Sequence, residues 1–283
     1  MKTVKIVGVP EHFNLPWKIC IENGEFEAEN IDLQWQNIPE GTGKMCQMLR
    51  DAETDIAVIL TEGIIKDITA GNHSKIVQIY VQSPLIWGIH VAEKSDFHSI
   101  KDLENKKAAI SRLGSGSQLM AYVNADHQGW NTDNLQFEIV NTIDGAVEAL
   151  TNGTADYFMW EHFMTKPLVD QGIFRRVGDC PTPWPSFVIV IRDEFLKKNS
   201  TIIEKILEII NKTTHDFAKI PDIDKTLAEI FNQKLEDIQE WLKLTQWSQK
   251  NLNEKAFIKI QNQLFDLGII DKKSTFVETV KAL

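Results

Sequence analysis

The stretch CQMLRDAETDIAVILTE (46–62) is answered about 101 residues later by VEALTNGTADYFMWE (147–161). In each, a leucine (Leu49, Leu150) stands six residues before an aspartate (Asp55, Asp156), and an apolar run then leads to a glutamate, Glu62 or Glu161. Working outward, Lys5-Ile6-Val7-Gly8-Val9 matches Lys106-Lys107-Ala108-Ala109-Ile110, both short and apolar enough to be buried strands. Leu33-Gln34-Trp35 matches Leu135-Gln136-Phe137. Three matches at nearly constant offset point to an internal duplication. Each copy reads strand–loop–helix–strand–loop–helix–strand, which predicts two βαβ crossovers and a small parallel sheet.

The segments joining the copies are apolar and β-prone: KIVQIYVQSPLIWGIHVAE (75–93) and PSFVIVIRDEF (185–195). Two strands passing between two lobes would act as a hinge. From about residue 196 onward, apolar residues recur at helical spacing, and Gly268 ends the last main helix. Placing these helices on the first lobe makes that lobe discontinuous: 1–90 plus 190–283, with 91–189 as the second. The expected architecture is α/β and two-lobed, each lobe a mostly parallel sheet flanked by helices.

Bulk properties exclude several classes. The 283 residues are 43% hydrophobic and 25% charged, a composition of folded globular chains. The net charge of −10 comes without any basic block, so no nucleic-acid partner is expected. Cys20, Cys46 and Cys180 are odd in number and widely spaced, which suits buried thiols rather than disulfides or a metal centre. No apolar run approaches the ~20 residues of a membrane span, and no signal core follows Met1. A cytoplasmic location is therefore expected, with a periplasmic or lipid-anchored one only if a leader has been removed. The histidines show no metal-ligand spacing, and no cofactor motif, nucleophile elbow or Ser-His-Asp arrangement is present.

Ligands of open parallel sheets bind outside the carboxyl ends of the strands, which selects the loops 10–17, 39–44, 61–63, 111–117, 141–145 and 160–162. The loop Ser111-Arg112-Leu113-Gly114-Ser115-Gly116-Ser117 follows a strand and opens an apolar helix, so its amides suit an anion. Ser115 or Ser117 capping that helix is the alternative. Thr42 is a ligand or cap residue. Glu62 and Glu161 read as equivalent strand-end carboxylates that hold an amine, serve as acid and base, or only begin the next helix. Glu11, His12 and Asn14 offer hydrogen bonds from the first loop, with Thr61 and Ser83 bordering the same crevice. Trp17, Trp160 and Trp184 are candidates for stacking on a flat ligand.

The segment 99–117, SIKDLENKKAAISRLGSGS, resembles the "slkdLkGkkigvsr.GSgs" stretch of the sulfonate/nitrate/taurine and thiamine-precursor substrate-binding proteins, with Asn105 in place of a glycine. The C-terminal LEDIQEWLKLTQWSQKN also looks like that group's closing helices. Within the group the chain is most similar to a subfamily without signal peptides whose ligand is unassigned. The resemblance implies the type II periplasmic-binding-protein fold, with the C-terminal helices packed on lobe 1. It also implies a small anionic or heteroaromatic ligand held in the inter-lobe cleft, an ABC-transporter permease as partner, and binding rather than catalysis. A cytosolic dehydratase or lyase on the same fold is the alternative, as in menaquinone-pathway relatives; the cysteine-rich motif of the fungal pyrimidine synthases is absent.

Overall fold

The computed structural model describes residues 1–283, and the chain divides into two compact units. Unit 1 comprises Met1–Ser83, Trp184–Phe265 and Ile270–Leu283; unit 2 comprises Pro84–Pro183 and Asp266–Ile269.

The strands of unit 1 are β1 (Lys2–Gly8), β2 (Ile31–Asn37), β3 (Ile56–Leu60) and β4 (Ser74–Val81). In unit 2 they are β5 (Ile86–Ala92), β6 (Lys107–Ile110), β7 (Gln136–Ile139), β8 (Tyr157–Glu161) and β9 (Phe174–Pro181), and β10 (Phe187–Arg192) returns to unit 1. The sheet orders are β2-β1-β3-β10-β4 and β7-β6-β8-β5-β9. In both, the first three strands are parallel and the fourth runs antiparallel to its neighbours on either side. The duplication thus covers five strands, β1–β5 and β6–β10. The last strand of each copy enters the other copy's sheet at the same place.

The helices between β1 and β4 are α1 (Leu15–Glu22), α2 (Glu25–Ala28), α3 (Thr42–Arg50) and α4 (Thr61–Thr69); those of unit 2 are α5 (Gly116–Gln128), α6 (Ile143–Asn152) and α7 (Lys166–Asp170). After β10 come α8 (Asp193–Lys198), α9 (Ser200–Asp216), α10 (Ile223–Phe231), α11 (Leu235–Leu244), α12 (Glu254–Asp266) and α13 (Phe276–Thr279). No helix is long and apolar enough to cross a membrane.

The central strands are buried on both faces, as IAVIL in β3 and FVIVI in β10 require. In unit 2, Ala109, Val140, Ala146, Ala149, Leu150, Phe158 and Phe174 form one buried cluster. In unit 1, Trp17 stacks between Phe26 and Trp35 beside Tyr80. Cys20, Cys46 and Cys180 are buried and form no disulfide. Asn105 takes φ 59°, the left-handed turn that its place before β6 demands.

Strand register moves two of the sequence matches. Lys5 pairs with Asp55 as Lys107, rather than Lys106, pairs with Asp156. Opposite β10, Leu60 faces Phe187, and opposite β5, Glu161 faces Trp87. Glu161 is therefore the counterpart of Leu60, and Glu62 lies two residues further on, in the first turn of α4. The two glutamates are not equivalent: each closes an apolar run of similar length, but the strand ends at different points in it.

Candidate functional site

The carboxyl ends of β1, β2, β3 and β4 and the start of β10 lie at one end of the unit 1 sheet, because Phe187 pairs with both Leu60 and Val81. Most of the residues singled out in unit 1 gather there. Thr61, buried, donates its amide and its hydroxyl to the Ser186 carbonyl, at 3.1 and 3.3 Å. This brings the turn before β10 onto α4, and Trp184 Nε1 donates to Glu62 Oε2 at 2.7 Å. Glu62 is 1% exposed and Trp184 3%. Burial raises the Glu62 carboxyl to about 7, against the lowering effect of its hydrogen bonds. Its second oxygen, Oε1, has no partner.

The β1 loop folds as a short 3-10 turn, His12–Asn14, entering α1 with Pro16 in its first turn. Glu11 is only half-buried by surface, yet the surrounding protein is dense enough to raise its carboxyl to about 7. His12 lies 4.1 Å from the Phe231 ring and 5.0 Å from Trp241, with Nε2 against the Gln233 side-chain oxygen at 3.2 Å. Asn14 donates its side-chain amide to the Val9 carbonyl at 2.8 Å. A Cβ at Gly8 would stand 2.9 Å from that nitrogen and 2.4 Å from Trp35, so glycine is what lets Asn14 lie over the strand end. Thr42 begins α3 rather than capping it; its methyl occupies the space a side chain at Gly63 would need. The Ser83 hydroxyl accepts the Gln246 amide at 3.1 Å. Trp17 is fully buried in the aromatic cluster and turns no face outward.

In unit 2, the β6 loop opens α5 as a Gly–Ser turn. Ser115 is the cap: its hydroxyl accepts the Gln118 amide at 3.3 Å and meets the Ser117 hydroxyl at 3.0 Å. Ser117 in turn accepts the Ser111 amide at 3.0 Å. Both serines are buried, so their hydroxyls secure the loop, whereas the amides of Gly116 and Ser117, at the first two positions of the helix, have no helical acceptor. Gly114 takes φ 76°, and its amide is held by Gln118 Oε1 at 2.6 Å. Arg112 is half-buried in the same turn. Glu161 is buried, and its Oε2 accepts the Met164 amide at 2.6 Å, closing the turn into α7. Trp160 stacks on Phe158 at 5.4 Å and meets Trp87 edge-on at 6.3 Å. His162, just past β8, pairs with Asp179 at 2.8 Å.

The Candida albicans CA3427 gene product, described as exhibiting the generic periplasmic binding protein fold, aligns with a TM-score of 0.90 at 24% identity, covering 99% of this chain and 96% of that one. The chain has the type II periplasmic-binding-protein fold.

Other proteins of the fold superpose well despite low identity. The alkanesulfonate-binding protein SsuA from Xanthomonas axonopodis pv. citri, bound to MOPS, gives a TM-score of 0.84 at 13% identity, with 100% of this chain and 99% of that one covered. The periplasmic nitrate-binding protein NrtA from Synechocystis PCC 6803 gives 0.63 at 15% identity, over 84% and 69%. The family model for Ca3427-like periplasmic binding proteins matches residues 87–180. No curated protein matches the chain in sequence.

Within this fold, the residues that sequence reasoning missed are Phe231, Gln233 and Trp241, which hold His12 from the C-terminal helices, and Ser186, which anchors Thr61. Gln233 lies 221 positions from His12, and no local pattern announces such a contact.

Proposed function

We propose that this protein captures a small organic solute with the loops at the carboxyl ends of its parallel strands, and that an anionic group of the solute is met by the turn before α5. The observation that carries the reading is the α5 N-terminus: a glycine-rich turn held from within by Ser115 and Ser117, presenting the amides of Gly116 and Ser117. Relatives of the same fold lend support, since SsuA and NrtA are named as sulfonate-binding and nitrate-binding proteins. Delivery of the solute to an ABC permease is part of the proposal and rests on the same likeness.

The test is calorimetry with sulfonates, aromatic carboxylates and aminopyrimidines, on the natural chain and on Gly116→Pro. Proline is well tolerated at the first helical position, and Ser115 already has the extended backbone that a following proline requires. The variant therefore removes one amide donor and leaves the helix intact. A tenfold loss of affinity for the anionic probes, at unchanged melting temperature, is expected. Unchanged affinity rejects the α5 turn as the anion site, and no binding by any probe rejects the reading as a whole.

A further inference from the structure

Three buried polar atoms on the loops after β1 and β3 have no partner inside the protein: Nδ1 of His12, Oδ1 of Asn14 and Oε1 of Glu62. Their residues are 0%, 1% and 1% exposed. The bonds made by their other atoms settle what each free atom is. The Asn14 amide nitrogen is committed to the Val9 carbonyl, which turns its oxygen the other way. His12 Nε2 faces the oxygen of Gln233 and so carries the ring proton, leaving Nδ1 as a bare lone pair; burial lowers this ring to about 4, so it is neutral at physiological pH. Glu62 Oε2 is taken by the Trp184 indole, leaving Oε1. His12 Nδ1 and Asn14 Oδ1 are acceptors, and Glu62 Oε1 is one whenever its carboxyl is ionised.

On the β1 loop donors are few, and at the start of α4 the Glu62 amide faces its own carboxylate. Pro16 has no N–H to offer in the first turn of α1. The Asn14 and Thr61 amides are used by the Glu11 and Ser186 carbonyls. The unpaired indole N–H groups of Trp17 and Trp241 belong to rings packed in aromatic clusters, and the unpaired Arg192 Nε lies at the opposite end of β10. The contrast with unit 2 is one of kind, because the loop after β6, the counterpart of the β1 loop, presents amides instead. Buried acceptors left dry are costly, and an anion brought to them would meet a carboxyl group and two further lone pairs.

We infer that unit 1 binds a cationic nitrogen head group, an ammonium, amidinium or guanidinium, through Glu62, Asn14 and His12. This rests on the solute-binding reading above and names the part of the solute that unit 1 receives. A head group of this kind only donates hydrogen bonds and carries the charge that complements an ionised Glu62.

The experiment is calorimetry on the full chain at pH 8 with two probe sets of matched size: benzamidine and phenylguanidine against benzoate and benzenesulfonate. The natural chain, Glu62→Gln and Asn14→Ala are compared. Binding of a cationic probe, weakened at least tenfold by Glu62→Gln and severalfold by Asn14→Ala, is the expected result, with any binding of the anionic probes changed by less than twofold. Should Glu62→Gln fail to fold, the Asn14→Ala titration decides by itself. Cationic binding indifferent to the variants overturns the inference, and so does binding of the anionic set alone, which leaves the solute-binding reading standing. Binding by neither set sinks both.

Discussion

Asp55 grips both backbone groups of Lys5: its carboxylate accepts the Lys5 amide at 3.1 Å, and its own amide donates to the Lys5 carbonyl at 3.0 Å. Asp156 does the same to Lys107 in unit 2, at 2.8 Å in each direction. The aspartate that marks the repeat in the sequence is thus the clasp joining the first and third strands of each sheet, at the end away from the ligand loops. Asp55 carries one further duty, holding Arg192 at 3.1 Å.

Removing the clasp should therefore cost stability and leave binding alone. Asp156→Ala is expected to destabilise by about 1.5 kcal/mol, the low end of the range for a charge-assisted hydrogen bond, because the carboxylate is only partly buried. Asp55→Ala should cost about 2–4 kcal/mol, because it also takes from the half-buried Arg192 the nearer of its two carboxylates, leaving only the exposed Glu194 at 3.5 Å. Urea unfolding checks the ordering, and equal losses at the two sites would refute the assigned role of Arg192.

Glu62 gives stability a pH dependence of its own. Burial raises its folded-state carboxyl from the ordinary 4.5 to about 7, so between those values the folded chain binds the proton more tightly than the unfolded one. The proton stabilises the fold fully below the unfolded value, and that contribution is lost as pH rises through 7. Glu62→Gln cannot ionise, and its stability relative to the natural chain should rise by about 2–3 kcal/mol between pH 5 and pH 8. Denaturant midpoints of both proteins at the two pH values measure this, and a constant difference would show that Glu62 does not titrate in that window.

The repeat was readable because Leu49 and Asp55, like Leu150 and Asp156, do the same work in both copies: one in the core under a strand, the other on its amino end. The exchange of β5 and β10 was not, since an apolar run such as PSFVIVIRDEF states that a strand is buried and carries no information about its direction or neighbours. The Glu62–Glu161 match fails for a related reason: the sheet sets equivalence by distance from the aspartate, five residues to Leu60 and five to Glu161, and not by residue type. Trp17 follows a strand-end loop in sequence, but Pro16 starts α1 so early that the ring is carried into the core. Likewise the free oxygen of Glu62 depends on Trp184, which the chain reaches only after building the whole of unit 2.

Ionisation of Glu62 should also govern affinity. A permanently cationic probe prefers the carboxylate, so benzamidine binding is expected to be constant above pH 7 and to weaken toward tenfold per pH unit below it. Near pH 7 each binding event should release a fraction of a proton, seen as a dependence of the measured heat on the buffer's ionisation enthalpy. Trp184→Phe removes the hydrogen bond that lowers the carboxyl, and the midpoint of the affinity profile should move upward. A flat profile from pH 5 to 8 in the natural chain would separate Glu62 from the bound cation.

Gly8 offers the sharpest test of how the β1 loop is placed. A Cβ there would come within 2.4 Å of the Trp35 ring and 2.9 Å of the Asn14 amide nitrogen. Trp35 stacks on Trp17 and its indole donates to Asn37 at 2.8 Å, so it has little room to withdraw. Asn14 must then give way, losing the Val9 carbonyl and with it the orientation of its free oxygen. Gly8→Ala is therefore expected to cost about 1–3 kcal/mol of stability, the usual penalty of overpacking, and to weaken any cationic probe that needs Asn14. Trp35→Leu in the same chain should restore much of the stability by making space for the methyl. If instead Gly8→Ala were as stable as the natural chain and bound benzamidine equally well, the loop would be free to move, and its unpaired acceptors would no longer be fixed in place for a ligand.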